Sequence, residues 1–168
     1  MTAEASPATG AHTTNGTPHG YTSLTPFIVV TDAASAIDFY TRVFSARLIS
    51  RTSAPDGSVL HAELDFGQGR LQLADANPGY GLVLPEAGDT VSSSLCLYCA
   101  DADAVVAAAE AAGAAVRKPI ADFVSGDRYG SIMDPFGRRW TILTRVVDLS
   151  DEESAARVAE WARSMNEG

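Results

Sequence analysis

The stretch DRYGSIMDPFGRRWTIL, Asp127 to Leu143, carries a hairpin in its spelling. Asp134-Pro135-Phe136-Gly137 has proline at the second and glycine at the fourth position of a tight turn. On either side stand two runs of strand character, RYGSIMD and RWTILTR. The reading is two antiparallel strands closed by the turn.

Working backwards, SLCLYCA reads as a strand, DADAVVAAAEAAG as a helix and AAVRKPI as a further strand, so that the segment has the order βαβββ. The same order occurs earlier. LTPFIVV is β-branched and apolar, and TDAASAIDFYTRVF has helical spacing through Ile37, Tyr40, Val43 and Phe44. ARLISRT, SVLHAELDF and RLQLAD then follow, separated by Pro55-Asp56-Gly57 and Gly67-Gln68-Gly69. Sliding the chain by 69 residues sets Thr25 on Ser94, Asp32 on Asp101, Ile37 on Val106, Asp65 on Asp134, Leu71 on Trp140 and Leu73 on Ile142. The pattern is an internal duplication, with small gaps around the second strand.

The expected organisation is a disordered tail over residues 1–22, a duplicated domain over 23–147 and a C-terminal helix over 148–168. Within the domain, module one spans 23–77, a linker 78–91 and module two 92–147. The tail is expected from its Thr, Gly, Pro and Ala content. The last helix is expected from Ser150 and Glu153 at capping-box spacing and from a stripe of Val158, Trp161, Ala162 and Met165.

Composition narrows the function classes. A chain of 168 residues, 46% hydrophobic and 20% charged, is long enough for a core and has no run approaching the roughly 18 apolar residues of a membrane span. The first twenty residues have neither a basic start nor an apolar block, so no signal or transit peptide is expected and the cytoplasm is the default compartment. Thiols stay reduced there, and no disulfide is expected. A net charge of −9 repels phosphate backbones and anionic lipid, so neither nucleic acid nor membrane is an expected partner. The C-x-x-C of Cys96 and Cys99 has no second ligand pair and lies in a strand, where residues three apart point to opposite faces. Two buried structural thiols are expected.

With AIDFYTRVF after the first strand and DRYGSIMDPFGRRWTIL near the end, residues 24–147 resemble the vicinal oxygen chelate superfamily of glyoxalases, bleomycin-type resistance proteins and extradiol dioxygenases. The resemblance implies an α+β fold, in which two tandem βαβββ modules form a curved mixed sheet cup with helices outside. It also implies a ligand inside the cup and, in many members, a homodimer. Its metal enzymes draw His or Glu ligands from the first and fourth strand of each module. The matching positions are Thr25 and Gln72, then Ser94 and Thr141, and none supplies imidazole, thiolate or carboxylate. No metal and no other cofactor is expected.

The alternation of LHAELDF places His61, Glu63 and Asp65 on one side of a strand and Ala62, Leu64 and Phe66 on the other. If the apolar set faces the helices, His61 and Glu63 project into the cup, with side chains roughly 6 to 7 Å apart. The alternation does not itself choose the cup over open solvent. Asp65 organises the following turn with Gly67, as Asp134 does in module two. The same parity nominates Phe27, Val29, Gln72, Cys96, Tyr98, Thr141 and Leu143 for the cup, and leaves Trp140 as core. Arg128, at the start of a strand, is a candidate for an acidic ligand group or for a salt bridge with Asp127 or Asp122.

The candidate ligand-binding set is thus Phe27, His61, Glu63, Gln72, Cys96, Tyr98, Arg128 and Thr141. The first functional reading is metal-independent binding of a bulky natural product or antibiotic, of the resistance or sequestration type. The alternative is a metal-free isomerase or lyase in which Glu63 or His61 moves a proton. A divalent-metal glyoxalase or dioxygenase ranks last.

Overall fold

A computed structural model describes residues 6–165. The chain divides into two compact units, one up to Leu84 and one from Pro85 onward. Each contains a βαβββ module. In the first these are β3 (Phe27–Val30), α1 (Ala33–Val43), β4 (Arg47–Ser53), β5 (Val59–Asp65) and β6 (Arg70–Asp75). They are preceded by two short strands, β1 (Thr13–Thr14) and β2 (Thr17–Pro18). The second unit has β7 (Leu95–Tyr98), α2 (Ala102–Ala111), β8 (Ala115–Asp122), β9 (Asp127–Met133) and β10 (Arg139–Arg145), followed by α3 (Asp151–Ser164).

The two four-stranded sheets share one topology, β3-β6-β5-β4 and β7-β10-β9-β8. In each, the first strand of the module runs parallel to the last, and the other pairings are antiparallel. This is the expected α+β class, with mixed sheets and a C-terminal helix.

In unit one the helix covers a face made by alternate residues of the sheet. Ala62, Leu64 and Leu73 are fully buried there, with Ile37, Phe39 and Tyr40 of α1, and Phe66 packs its ring 6.4 Å from that of Phe44. Removing this apolar surface from water is the main stabilising term. In unit two, Ile132, Trp140 and Ile142 take the same role beside Val106 and Ala109. Trp140 is core, as its parity requires.

The duplication extends to the capping chemistry. Asp32 and Asp101 each accept a hydrogen bond from the third residue beyond, Ser35 and Ala104, as helix N-caps. The end of the last strand then supplies a second acceptor for the first turn: Asp75 Oδ1 takes the Ala33 amide at 2.8 Å, and Thr144 Oγ1 takes the Ala102 amide at 2.9 Å. Asp75 and Thr144 are related by the same offset of 69 residues.

One matched pair needs correction. Glu63 pairs with Gln72, and Ser131 with Thr141, so β5 and β9 are related by 68 residues while β6 and β10 keep 69. Asp65 therefore corresponds to Met133, not to Asp134. The extra residue lies in the second hairpin loop, which runs from Met133 to its partner Arg139 where the first runs from Asp65 to Arg70. Both aspartates still organise their turns: Asp65 accepts from the Gly67 amide, and Asp134 from those of Phe136 and Arg138.

The segment expected to be an unstructured tail is partly ordered. Thr13–Thr14 and Thr17–Pro18 form an antiparallel ladder across Asn15-Gly16, both with positive φ. Asn-Gly is the dipeptide that a two-residue hairpin turn favours, and the compositional reading passed over it. At the other end α3 carries the expected capping box. It packs in its own unit, with the Trp161 ring edge-on to Phe123 at 4.9 Å and Ser154 Oγ donating to the Ser125 carbonyl. No described helix is long and apolar enough to cross a membrane.

Candidate functional site

With Ala62, Leu64 and Phe66 committed to the helix, the other face of the unit-one sheet holds His61 and Glu63. Ladder register runs Phe27 to Gln72 to Glu63 to Ser50 straight across the four strands. The Phe27 and His61 rings lie 6.1 Å apart at 31°. Phe27, His61, Glu63 and Gln72 thus come together on the open face, as their parity predicted.

Glu63 is not a free acid. It is buried, accepts hydrogen bonds from the Tyr21 hydroxyl and from Arg70 Nη1, and has Gln72 Nε2 at 3.4 Å. Tyr21 and Arg70 also stack, with the guanidinium carbon 4.2 Å from the ring centroid. Gly20 makes this approach feasible. Its φ is +89°, and a Cβ there would stand 2.7 Å from Arg70 Nη2. Sequence parity found Glu63, but Tyr21 was assigned to the tail and no periodic signal marks it.

Burial alone would raise the Glu63 pKa, but the hydrogen bonds from Tyr21, Arg70 and Gln72 and the charge of Arg70 outweigh it and hold the carboxyl below its ordinary value. Tyr21 moves up, chiefly because its proton is held by Glu63. The sign for stability follows. The unfolded chain protonates this carboxyl more readily than the folded one, so its contribution is complete above the unfolded value of about 4.3 and is lost as pH falls through the folded value. Glu63→Gln is expected to be less stable than the parent at neutral pH, with a gap that narrows towards about pH 3, as urea unfolding across that range would measure. A gap that is constant with pH contradicts the assignment.

In unit two, the face turned away from α2 carries Thr141, paired with Cys96 on one side and Ser131 on the other, and then Leu143 between Tyr98 and Tyr129. Cys96, Tyr98 and Thr141 therefore come together. Cys96 is exposed rather than buried, which corrects the reading of two buried thiols, and Cys99 is half-buried with its thiol 3.7 Å from the Leu143 carbonyl. Arg128 does not join them. It pairs with Thr144, one step out of phase with Tyr129 and Ser131, and so sits on the helix side. There it donates to both oxygens of Asp103 in α2, at 2.6 and 2.8 Å, and to Asp122 at 2.8 Å. Asp103 was not anticipated as a partner. Asp127 instead takes Arg145, at 2.7 Å.

A pocket of about 340 Å³ in unit one, walled by Leu60, Tyr80 and Leu82, lies apart from these residues. Its Asp75 is already engaged by the Ala33 and Val59 amides.

These two modules and their shared topology define a class, and the chain comparison agrees with it. Residues 11–142 match the family model described as the Glyoxalase/Bleomycin resistance protein/Dioxygenase superfamily, and the chain belongs to this family. It is 36% identical over 140 residues to an uncharacterized protein of Mycobacterium bovis, covering 82% of this chain and 92% of the relative. Among solved structures it is similar to TioX from Micromonospora sp. ML1, at TM-score 0.59 and 27% identity over 74% of this chain and 98% of the other. The fosfomycin resistance protein FosX from Mesorhizobium loti shares the fold at TM-score 0.53 and 14% identity, over 73% of this chain and 90% of the other.

Membership raises the question of a metal. The donors at the four family positions are the hydroxyls of Thr25, Ser94 and Thr141 and the amide of Gln72, with Ser94 Oγ 3.4 Å from Thr141 Oγ1. Glu63, 3.4 Å from Gln72 Nε2, is committed to Arg70 and Tyr21. Among the described residues no three His, Cys, Asp or Glu side chains gather as a metal site. This donor set does not fit a divalent cation.

Proposed function

We propose that this protein binds a bulky organic molecule, a natural product or antibiotic, without a metal ion, and acts by sequestration. The observation that carries the reading is the identity of the four positions where the family's metal enzymes place ligands, which here are hydroxyls and one amide. The open faces add aromatic walls, Phe27 with His61 in unit one and the exposed Tyr98 in unit two, beside the polar groups Gln72 and Thr141. Such a mixture of aromatic surface and few polar groups suits a drug-sized ligand. The family description itself includes bleomycin resistance proteins, and the net charge of −9 favours a basic ligand at long range.

Proton transfer by Glu63 is the weaker reading. A carboxylate whose pKa is held down by Arg70 and Tyr21 is a poor base at neutral pH. A homodimer and a cytoplasmic location belong to the proposal, the homodimer as the resemblance implies.

The test is thermal unfolding of the purified protein with bleomycin, fosfomycin and a panel of aromatic natural products, with and without EDTA. At least one compound is expected to raise the midpoint in a saturable way that EDTA leaves intact, because binding to the folded state stabilises it by mass action. A shift that EDTA abolishes and manganese or zinc restores overturns the reading, as does a panel with no shift at all. Conversion of a bound compound to product, lost in Glu63→Gln with affinity retained, would establish the enzyme instead.

A further inference from the structure

A second pocket, of about 520 Å³, opens in unit two between residues 85–93 and the Asp134–Arg139 hairpin. It contains none of the residues discussed above as ligand contacts. Its lining residues include Thr90, Ser92, Ser93, Arg138, Arg139 and Glu86. We propose that this pocket is an anion-binding site, taking a small molecule with a phosphate or carboxylate group, and that Arg139 is its anchor.

The argument rests on how Arg139 is left by the fold. It is half-buried, and its side chain makes one hydrogen bond, from Nη2 to Ser131 Oγ at 3.1 Å. That acceptor is neutral. Arg47, Arg70, Arg117, Arg128 and Arg145 each meet a carboxylate, whereas among the described residues none lies within ion-pair distance of Arg139. Asp89, in the segment that forms one wall, is taken by Arg117. Ser131 is itself buried, so its hydroxyl holds one arm of the guanidinium in place, and among the described residues no other acceptor meets the fork.

A planar guanidinium with spare donors matches the oxygen edge of a carboxylate or phosphate, and hydroxyl donors across the pocket complete the shell of such a group. In a chain carrying 21 acidic and 12 basic residues, a half-buried arginine lacking a carboxylate partner is the feature that a bound anion would satisfy. Glu86 is exposed on the lining, where it disfavours a second negative group on the ligand. Arg139 shares the open face of β10 with Thr141 and touches Ser131, the ladder partner of Thr141, so the pocket borders the face proposed for the organic ligand; inorganic anions read it without that ligand.

The experiment is amide-resolved NMR titration of the full chain with inorganic phosphate and, separately, with acetate. Saturable shifts are expected at Thr90, Ser92, Ser93 and Arg139. Arg139→Gln is expected to weaken binding at least about tenfold, because a charge-assisted bidentate contact is lost. Arg51→Gln, in the other unit, is expected to titrate like the parent. If Arg139→Gln fails to fold, Arg139→Lys carries the test: it retains the charge and loses the fork, so several-fold weaker binding supports the site. Saturation by phosphate alone identifies a phosphate group as the ligand chemistry, and saturation by acetate identifies a carboxylate. No saturable shift at these amides with either anion overturns the proposal, as does an Arg139 variant that titrates like the parent.

Discussion

Asp134→Ala is expected to lower the unfolding free energy by about 3 kcal/mol or more. Asp134 is buried, and its two oxygens accept from at least three donors. Oδ1 accepts the amides of Phe136 and Arg138 at 2.9 and 2.8 Å, and Oδ2 accepts the indole N–H of Trp140 at 2.9 Å. Alanine withdraws both acceptor oxygens from these donors at a site with little access to water, and each buried donor that loses its partner costs about 1 to 3 kcal/mol. Asp134→Asn retains one carbonyl for the two amides but turns an amide nitrogen towards the indole, so it should recover part of the loss. Asp65→Ala, at a more exposed turn whose bonds go to Gly67 and Arg47, is expected to cost less than about 1 kcal/mol. Urea unfolding of the three variants measures the ranking. Equal losses for Asp65→Ala and Asp134→Ala would contradict it.

Gly130→Ala is expected to be as damaging, for a steric reason. A Cβ at this position would stand 2.7 Å from the Lys118 carbonyl oxygen, 3.0 Å from Ile120 Cδ1 and 3.1 Å from the Ile120 amide. Two of these are backbone atoms of β8, at the irregular stretch of its ladder with β9 between Lys118 and Ala121, so backbone as well as side chain must shift. Overpacking of this kind costs about 1 to 3 kcal/mol, and the upper end applies when backbone must move. The expected readout is a lower midpoint with faster amide exchange along Ala115–Asp122. A variant with the parent's midpoint would show that the strand yields freely.

Both predictions concern unit two, where the DPFG turn was legible from four letters. Proline and glycine restrict backbone angles locally, so a turn of this kind needs no tertiary information. Helix positions were legible for a related reason: Ile37, Tyr40, Val43 and Phe44 repeat at helical spacing, and a stripe of that period has to meet a core. The duplication also survived because both copies keep the same apolar period and the same N-cap aspartates, Asp32 and Asp101.

The site was legible in part. Strand parity grouped Phe27, His61, Glu63 and Gln72, and it grouped Cys96, Tyr98 and Thr141, since residues two apart share a face whatever the rest of the chain does. Arg128 was placed by its position at the start of a strand and not by this rule; counted back from the buried Ile132, it falls on the helix side. Its carboxylate partner Asp103 is 25 residues away. Composition missed Tyr21 for a different reason. A polar segment rich in Thr, Gly and Pro is disordered only if nothing holds it, and the Asn15-Gly16 turn and the Arg70 stack both do.

The amino-acid sequence by itself determined the two βαβββ modules, the closing turns, which residues of a strand share a face, and side chains without imidazole, thiolate or carboxylate at Thr25, Gln72, Ser94 and Thr141. These are properties of neighbours along the chain and of side-chain chemistry. Only the tertiary structure decided that Glu63 is held by Tyr21 and Arg70, that Arg128 is neutralised by α2 and Asp122, and that no acid among the described residues meets Arg139. Those outcomes depend on which distant charges arrive within a few ångströms of one another, and no local periodicity encodes that distance.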